Sequence, residues 1–155
     1  MPTYPYRRPC VTVDLFIIGS MDGVDQLLLI RRANEPYAGR WALPGGFVDV
    51  GDAEGAQGED LMEAAARELR EETGLADVTL WQVAAVGTPD RDPRHRTITV
   101  LYGGELRGPL PTPRGGDDAN DARWFPLAQV LEGEPPLAFD HLPLVRIALG
   151  QVTPR

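Results

Sequence analysis

The clearest chemistry in this chain sits in one short run, Arg67-Glu68-Leu69-Arg70-Glu71-Glu72-Thr73-Gly74-Leu75. On a helix, residues three and four apart share a face, so Glu68 stands above Glu71 and Glu72. Three carboxylates on one face repel one another. A hard divalent cation such as Mg²⁺ would reverse that repulsion, because it prefers carboxylate oxygens. Arg67 is spaced to pair with Glu71 at i and i+4. A lone Glu-Glu pair would be read as a solvated helix face. Here a second feature lies upstream: Leu43-Pro44-Gly45-Gly46-Phe47-Val48-Asp49 is a tight glycine loop, through which backbone carbonyls and amides can approach a metal or a phosphate closely.

A third feature is the segment Asp90-Arg91-Asp92-Pro93-Arg94-His95-Arg96. Arg91, Arg94 and Arg96 could clamp a diphosphate bidentately, or could form ion pairs within a solvated loop. Arg31 and Gly46 join these arginines as candidate substrate contacts. His95 reads as a loop residue and His141 as a structural one. Trp41, Trp81 and Trp124 read as core packing. Cys10 reads as inert, with only Arg7 and Arg8 near it.

These groups need a scaffold. Val11–Ile18 and Gln26–Arg31 read as strands joined by the turn Ser20-Met21-Asp22-Gly23. Trp41–Leu43 is a short strand that stops at Pro44. Gly51–Gly58 is a small, acidic loop. Glu59–Thr73 is the best helix, with Leu61, Met62, Ala65, Ala66 and Leu69 as its apolar stripe and Gly74 as its C-terminal cap. Val78–Val86 and Thr97–Leu106 are strands, with Pro89–Arg96 as the loop between them. Pro109, Pro111 and Pro113 mark a stiff connector. Arg123–Phe125 is a strand. Pro126–Leu131 and Asp140–Leu149 are closing helices, the second with Asp140 as N-cap. This order predicts a fold of α/β (α+β) class, a mixed β-sheet sandwiched between α-helices.

Composition removes other chemistries. The 155 residues suit a single domain. All fifteen basic residues are arginine, which excludes a P-loop lysine and a Schiff base. One cysteine allows no internal disulfide, and two histidines are too few for a three-histidine zinc site. A net charge of −8 disfavours nucleic acid as a partner. No apolar stretch is long enough to cross a bilayer or to act as a signal peptide, so no membrane partner is expected and the cytoplasm is the expected location.

Arg67 to Leu75 resembles the second half of the Nudix hydrolase box, Arg-Glu-apolar-x-Glu-Glu-x-Gly-apolar, and Glu59 lies at the family's distance before Arg67. The first half departs: the family leaves five residues between its glycine and that glutamate, whereas Gly46 and Glu59 are separated by twelve. The surplus fits an insertion at about 51–57. Gly51-Asp52 and Gly58-Glu59 both match the expected glycine–acid step, and the spacing to Arg67 favours Glu59. The resemblance implies a Nudix fold and a Mg²⁺ or Mn²⁺ ion held by Glu68, Glu71 and Glu72 with the Gly45 carbonyl. It implies hydrolysis of a nucleoside diphosphate linked to another group. It also implies a further acid as base or ligand, for which Asp118 fits best, with Asp121 and Asp117 in reserve.

The arginine-rich loop, Asp118-Ala119 ahead of Trp124–Leu127, and Leu137–His141 resemble the ADP-ribose pyrophosphatase group. That resemblance implies cleavage of ADP-ribose to AMP and ribose 5-phosphate. Two alternatives stay open: another nucleotide substrate, or a non-catalytic ADP-ribose sensor. The acidic charge, the intact glutamates and the short stretch after Leu149 favour the enzyme. Enzymes of this group are often dimers, and the apolar N-terminal strand could pair across subunits in a homodimer.

Overall fold

A computed structural model describes residues 3–116 and 119–151 of the chain. The strands β1 (Cys10–Met21) and β2 (Val24–Arg32) form a hairpin, followed by the short β3 (Trp41–Ala42) and β4 (Gly45–Phe47). The helix α1 (Leu61–Thr73) precedes β5 (Leu80–Val86), β6 (Thr97–Glu105) and β7 (Ala119–Pro126), and α2 (Leu127–Leu131) and α3 (His141–Ala148) close the chain. All seven strands belong to one mixed sheet, with β1 parallel to β6 and the other pairings antiparallel.

The central feature is a split. β1 and β2 pair only beside their turn, from Ile18↔Leu27 to Met21↔Val24. Beyond that they part: β1 takes β4 as its partner and β2 takes β3, while β7 runs along the other edge of β2. Trp41 to Phe47 crosses from one side of the split to the other. Period-2 alternation in β1 sends Val13, Leu15 and Ile17 to the layer containing Ala64, Ala65 and Leu69 of α1. Phe16 goes to the opposite layer, with Val130 of α2 and Leu144 and Val145 of α3. Side chains from both layers therefore meet where the sheet opens.

Several expectations shift. α1 starts at Leu61, not Glu59, because Asp60 is the N-cap and forms a capping box with Glu63. Its buried face is Ala64, Ala65, Leu69, Glu72 and Thr73, while Met62 and Ala66 are exposed. Gly45-Gly46 is not a free loop but part of β4. A Cβ on Gly45 would overlap the Val13 carbonyl, so only glycine allows this close pairing with β1. Trp81 is exposed rather than core, on the edge strand β5, where its ring lies over Gly103. β1 lies inside the sheet, hydrogen-bonded on both edges, so it offers no free edge for pairing across subunits. Among the described residues, no helix is long and apolar enough to cross a membrane.

Candidate active site

α1 presents its glutamates to the opening of the sheet. Arg67 organises them. Its Nε and Nη2 donate to Glu59 Oε2 and Oε1 at 2.9 and 2.6 Å, and Nη2 also donates to the Phe47 carbonyl at 3.1 Å. Its Nη1 donates to both Glu68 Oε1 at 2.8 Å and Glu71 Oε2 at 3.1 Å. The guanidinium is held firmly in its charged form, first by the hydrogen bonds with Glu59. Those same bonds hold the Glu59 carboxyl below its ordinary range. Burial pushes the Glu68 carboxyl up, against the opposing pull of Arg67. Glu72 is buried and accepts from the Gly45 amide at 2.7 Å. The Glu68 carboxylate lies directly over Gly46, where any Cβ would overlap it.

Glu59 sits at a pinch. Its amide donates to the Asp49 carbonyl and its Oε1 accepts from the Asp49 amide, both at 2.9 Å. Residues 50–58 leave and return at that point, so the long loop does not displace α1 from β4. Of the two candidate acids, Glu59 is the one bonded to Arg67.

The opposite wall comes from distant parts of the chain. Asp14, a buried carboxylate in β1, accepts from Thr99 Oγ1 at 2.6 Å. His141 Nε2 lies 3.4 Å from Asp14 Oδ1, and Arg91 Nη2 lies 3.7 Å from Oδ2. His141 Nδ1 accepts from the Leu43 amide at 3.0 Å. Burial holds the imidazole below its ordinary pKa, so it is neutral with the proton on Nε2, facing Asp14. Arg91 is bidentate on Asp140, at 2.8 and 3.0 Å. Asp140 therefore occupies the N-cap position of α3 without a side-chain capping bond, because its carboxylate is taken by Arg91.

The two walls enclose a cleft of about 500 Å³. Its described lining carries six carboxylates (Asp14, Glu35, Glu68, Glu71, Glu72, Asp92) against four guanidiniums (Arg32, Arg67, Arg91, Arg94), a balance that suits a cation. Gly45 and Gly46 also line it.

Two of the expected substrate contacts fall elsewhere. Arg31 is exposed and bonds the Gly39 carbonyl, because strand alternation turns it away from Ile30 and Arg32, which do line the cleft. Arg96 donates to the Gly87 carbonyl, outside the lining. Arg94 lines the cleft in a bidentate pair with Asp92, whose carboxyl is held below its usual range by Arg94 against the effect of burial. Asp117 and Asp118 lie outside the described residues. Asp121 pairs with Arg123 at 2.7 Å and is not among the lining residues.

Sequence reasoning missed Asp14, Arg32, Asp92 and Phe139 as cleft residues, and took His141 as structural. Asp14 left one signal: it is the only charged residue in the apolar strand run Val11–Ile18. Arg32 is separated from Arg31 only by strand parity. Phe139, at φ +50° with the Arg32 guanidinium 4.8 Å from its ring centre, lies within the Leu137–His141 segment that carries the subgroup resemblance, but nothing there marks the ring itself.

A family model described as NUDIX domain matches residues 8–146. The chain belongs to the Nudix family. It is 38% identical over 146 residues to an ADP-ribose pyrophosphatase of Methanocaldococcus jannaschii, covering 91% of this chain and 73% of that one. It is also 38% identical over 147 residues to the ADPR responsive transcriptional repressor NtrR of Acinetobacter baylyi. That match covers 95% of this chain but only 56% of the repressor, so this chain spans little more than half of that relative. Among solved structures, the NUDIX domain of Shewanella oneidensis NrtR complexed with ADP ribose superimposes with a TM-score of 0.82 at 33% identity, covering 97% of this chain and 94% of that one. The mixed sheet between helices is thus the Nudix fold.

Proposed function

We propose that this chain is a divalent-metal-dependent pyrophosphohydrolase that cleaves ADP-ribose to AMP and ribose 5-phosphate. One observation carries the reading. The glutamate face of α1, bound to the glycine strand, opens onto a cleft large enough for a nucleotide, in a chain 38% identical to an ADP-ribose pyrophosphatase.

The donor set fits a hard cation such as Mg²⁺ or Mn²⁺. Every candidate ligand is an oxygen, and Glu68 and Glu71 already share one positive group, Arg67 Nη1. Among the described residues, no three carboxylate, imidazole or thiol groups yet converge on one point, because Arg67 holds two of the glutamates and Gly45 the third. Glu68, Glu71, Glu72 and the Gly45 carbonyl would hold the metal. Bound there, it would lower the pKa of the attacking water and screen the diphosphate. Arg67 holds Glu68 and Glu71 ready on one side. The Gly45 amide orients Glu72, and Gly46 leaves room for the Glu68 carboxylate. Water adds to one phosphorus, the bond to the bridging oxygen breaks, and the two products separate as monophosphates.

The test is product analysis with purified protein and Mg²⁺ over ADP-ribose, NAD⁺, ADP-glucose, CDP and a dinucleoside polyphosphate. AMP forming fastest from ADP-ribose is the expected result. Faster turnover of another compound would overturn the substrate and keep the chemistry. The similarity to a repressor favours one second reading, a sensor that binds ADP-ribose without cleaving it. Binding by calorimetry without product would select it.

A further inference from the structure

The stretch between β3 and β4 has an unusual hydrogen-bonding problem. The β2–β3 ladder ends at Ala42 and the β1–β4 ladder begins at Gly45. Leu43 and Pro44 lie between the two. Pro44 has no N–H, and its carbonyl accepts from Leu15 at 2.8 Å. Leu43 is buried, so its amide must find an acceptor inside the protein. That acceptor is His141 Nδ1, from a helix 98 residues away in sequence.

The imidazole is fixed on its other side as well. Nε2 faces Asp14 Oδ1, and Asp14 is the residue directly opposite Gly45 in the β1–β4 register. Asp14 is itself anchored by Thr99. A closed circuit results: Asp14 to His141, His141 to Leu43, Leu43 along the chain to Gly45, and Gly45 back across the ladder to Asp14. The Gly45 amide in this circuit is the one that binds Glu72. Arg91, clamped on Asp140, holds the start of α3 against the same wall.

We infer that His141 is a positioning residue for the metal site: by accepting from Leu43, it sets Gly45 and, through the Gly45 amide, the Glu72 carboxylate. This inference rests on the metal-site reading above. It assigns His141 no contact with substrate and no proton transfer. It makes the imidazole the link between the α3 wall and the α1 wall, through a backbone segment of three residues.

The test compares two substitutions in the full chain. In His141→Asn the side-chain oxygen can stand where Nδ1 stands, whereas in His141→Gln the same amide is one methylene too long. Mn²⁺ affinity is read by electron paramagnetic resonance, without substrate. His141→Gln should weaken Mn²⁺ binding roughly 10–100-fold, the range for residues that orient metal ligands, and His141→Asn should recover most of it. In turnover, kcat should fall in His141→Gln with KM for ADP-ribose nearly unchanged. Wild-type affinity in His141→Gln would overturn the inference, as would equal losses in both variants. If neither variant folds, the wild-type protein decides. A ¹⁵N–¹⁵N coupling across the Leu43–His141 hydrogen bond, broadened or shifted on Mn²⁺ or Mg²⁺ addition, is expected; its absence overturns the proposal. A wild-type protein that binds no Mn²⁺ would instead overturn the metal-site reading, and this inference with it.

Discussion

The two walls of the cleft hold charge in different ways. On the α1 side, one guanidinium is shared among three carboxylates, Glu59 just before the helix and Glu68 and Glu71 on it. Glu71 keeps 37% of its side chain exposed, against 16% for Glu59 and 13% for Glu68, so this wall meets water at its Glu71 end. On the α3 side, Arg91 is 5% exposed and bound to Asp140, with Asp14 and His141 behind it. That wall is closed, with two carboxylates sharing one guanidinium inside the protein. In the proposed function, the first wall is the one that would accept an ion and release it. The second is suited to hold still. A buried pair contributes position more surely than net stability, since desolvation offsets much of its attraction.

The largest effect should come from breaking the closed wall. Arg91→Ala leaves Asp140 and Asp14 facing each other without a cation, and loss of one partner of a buried pair costs about 3–5 kcal/mol. Urea unfolding should show that loss, and Mg²⁺ should not restore it. On the open wall the corresponding change is catalytic. Glu71→Gln removes a charge without changing shape and should lower kcat roughly 10²–10³-fold, the scale of one preorganised electrostatic group. The melting temperature should stay within a few degrees, because Glu71 is only half-buried and glutamine can still accept from Arg67. An unaltered kcat would remove Glu71 from the machinery.

Arg67→Ala sharpens the contrast. It strips hydrogen bonds from Glu59, Glu68 and Glu71 at about 1.5–3 kcal/mol, the range for bonds to charged groups. Here, unlike at Arg91, added Mg²⁺ should recover part of the loss, since a divalent ion can take over the positive charge between the glutamates. Stability measured with and without Mg²⁺ in both variants tests whether the walls differ as described.

The same difference explains what could be read from the sequence. The open wall is one helix, so spacing alone placed Glu68, Glu71 and Glu72 together and paired Arg67 with Glu71. Local periodicity also gave the final helices and every strand but β4 to within a few residues, and β4 reads as a glycine loop. The closed wall draws on positions 14, 91, 99, 140 and 141, which only the sheet topology brings together. No spacing rule reaches across those distances. The loop arginines show the limit well. Their type suggested a diphosphate clamp or internal ion pairs, but which arginine faces a partner depends on packing that Asp14 and Asp140 supply. The arginines at 31 and 32 show another limit: a one-residue error in strand phase puts a side chain on the wrong face.

His141 supplies a pH signature of the closed wall. Burial, reinforced by Arg91 and Arg32, holds it below 6.5 against the upward pull of Asp14 and Asp140. The unfolded chain therefore binds a proton that the folded chain refuses once the pH falls below about 6.5. This contribution to stability is full above that pH and is lost as the pH falls through the window beneath it, by at most about 1.4 kcal/mol per pH unit. Glu68, raised by burial, acts in the opposite direction at lower pH. Subtracting the stability profile of His141→Asn from that of the wild type isolates the histidine. A flat difference between pH 7 and 5 would mean that the imidazole is not held neutral.

The smallest effects should be at the two arginines that lie outside the cleft. Arg31 donates to the Gly39 carbonyl on an exposed face of β2, and Arg96 to the Gly87 carbonyl beside β6. Neither carbonyl needs a guanidinium once water can reach it, so Arg31→Ala and Arg96→Ala should each change stability by less than about 0.5 kcal/mol. Their KM for ADP-ribose should match the wild type, whereas Arg32→Ala, on the cleft face one residue away, should raise it. A large KM increase at Arg31 or Arg96 would mean that the substrate extends beyond the space between the two walls. The cleft would then not be the whole binding site, and the contrast between an exchangeable wall and a fixed one would describe only its metal-bearing end.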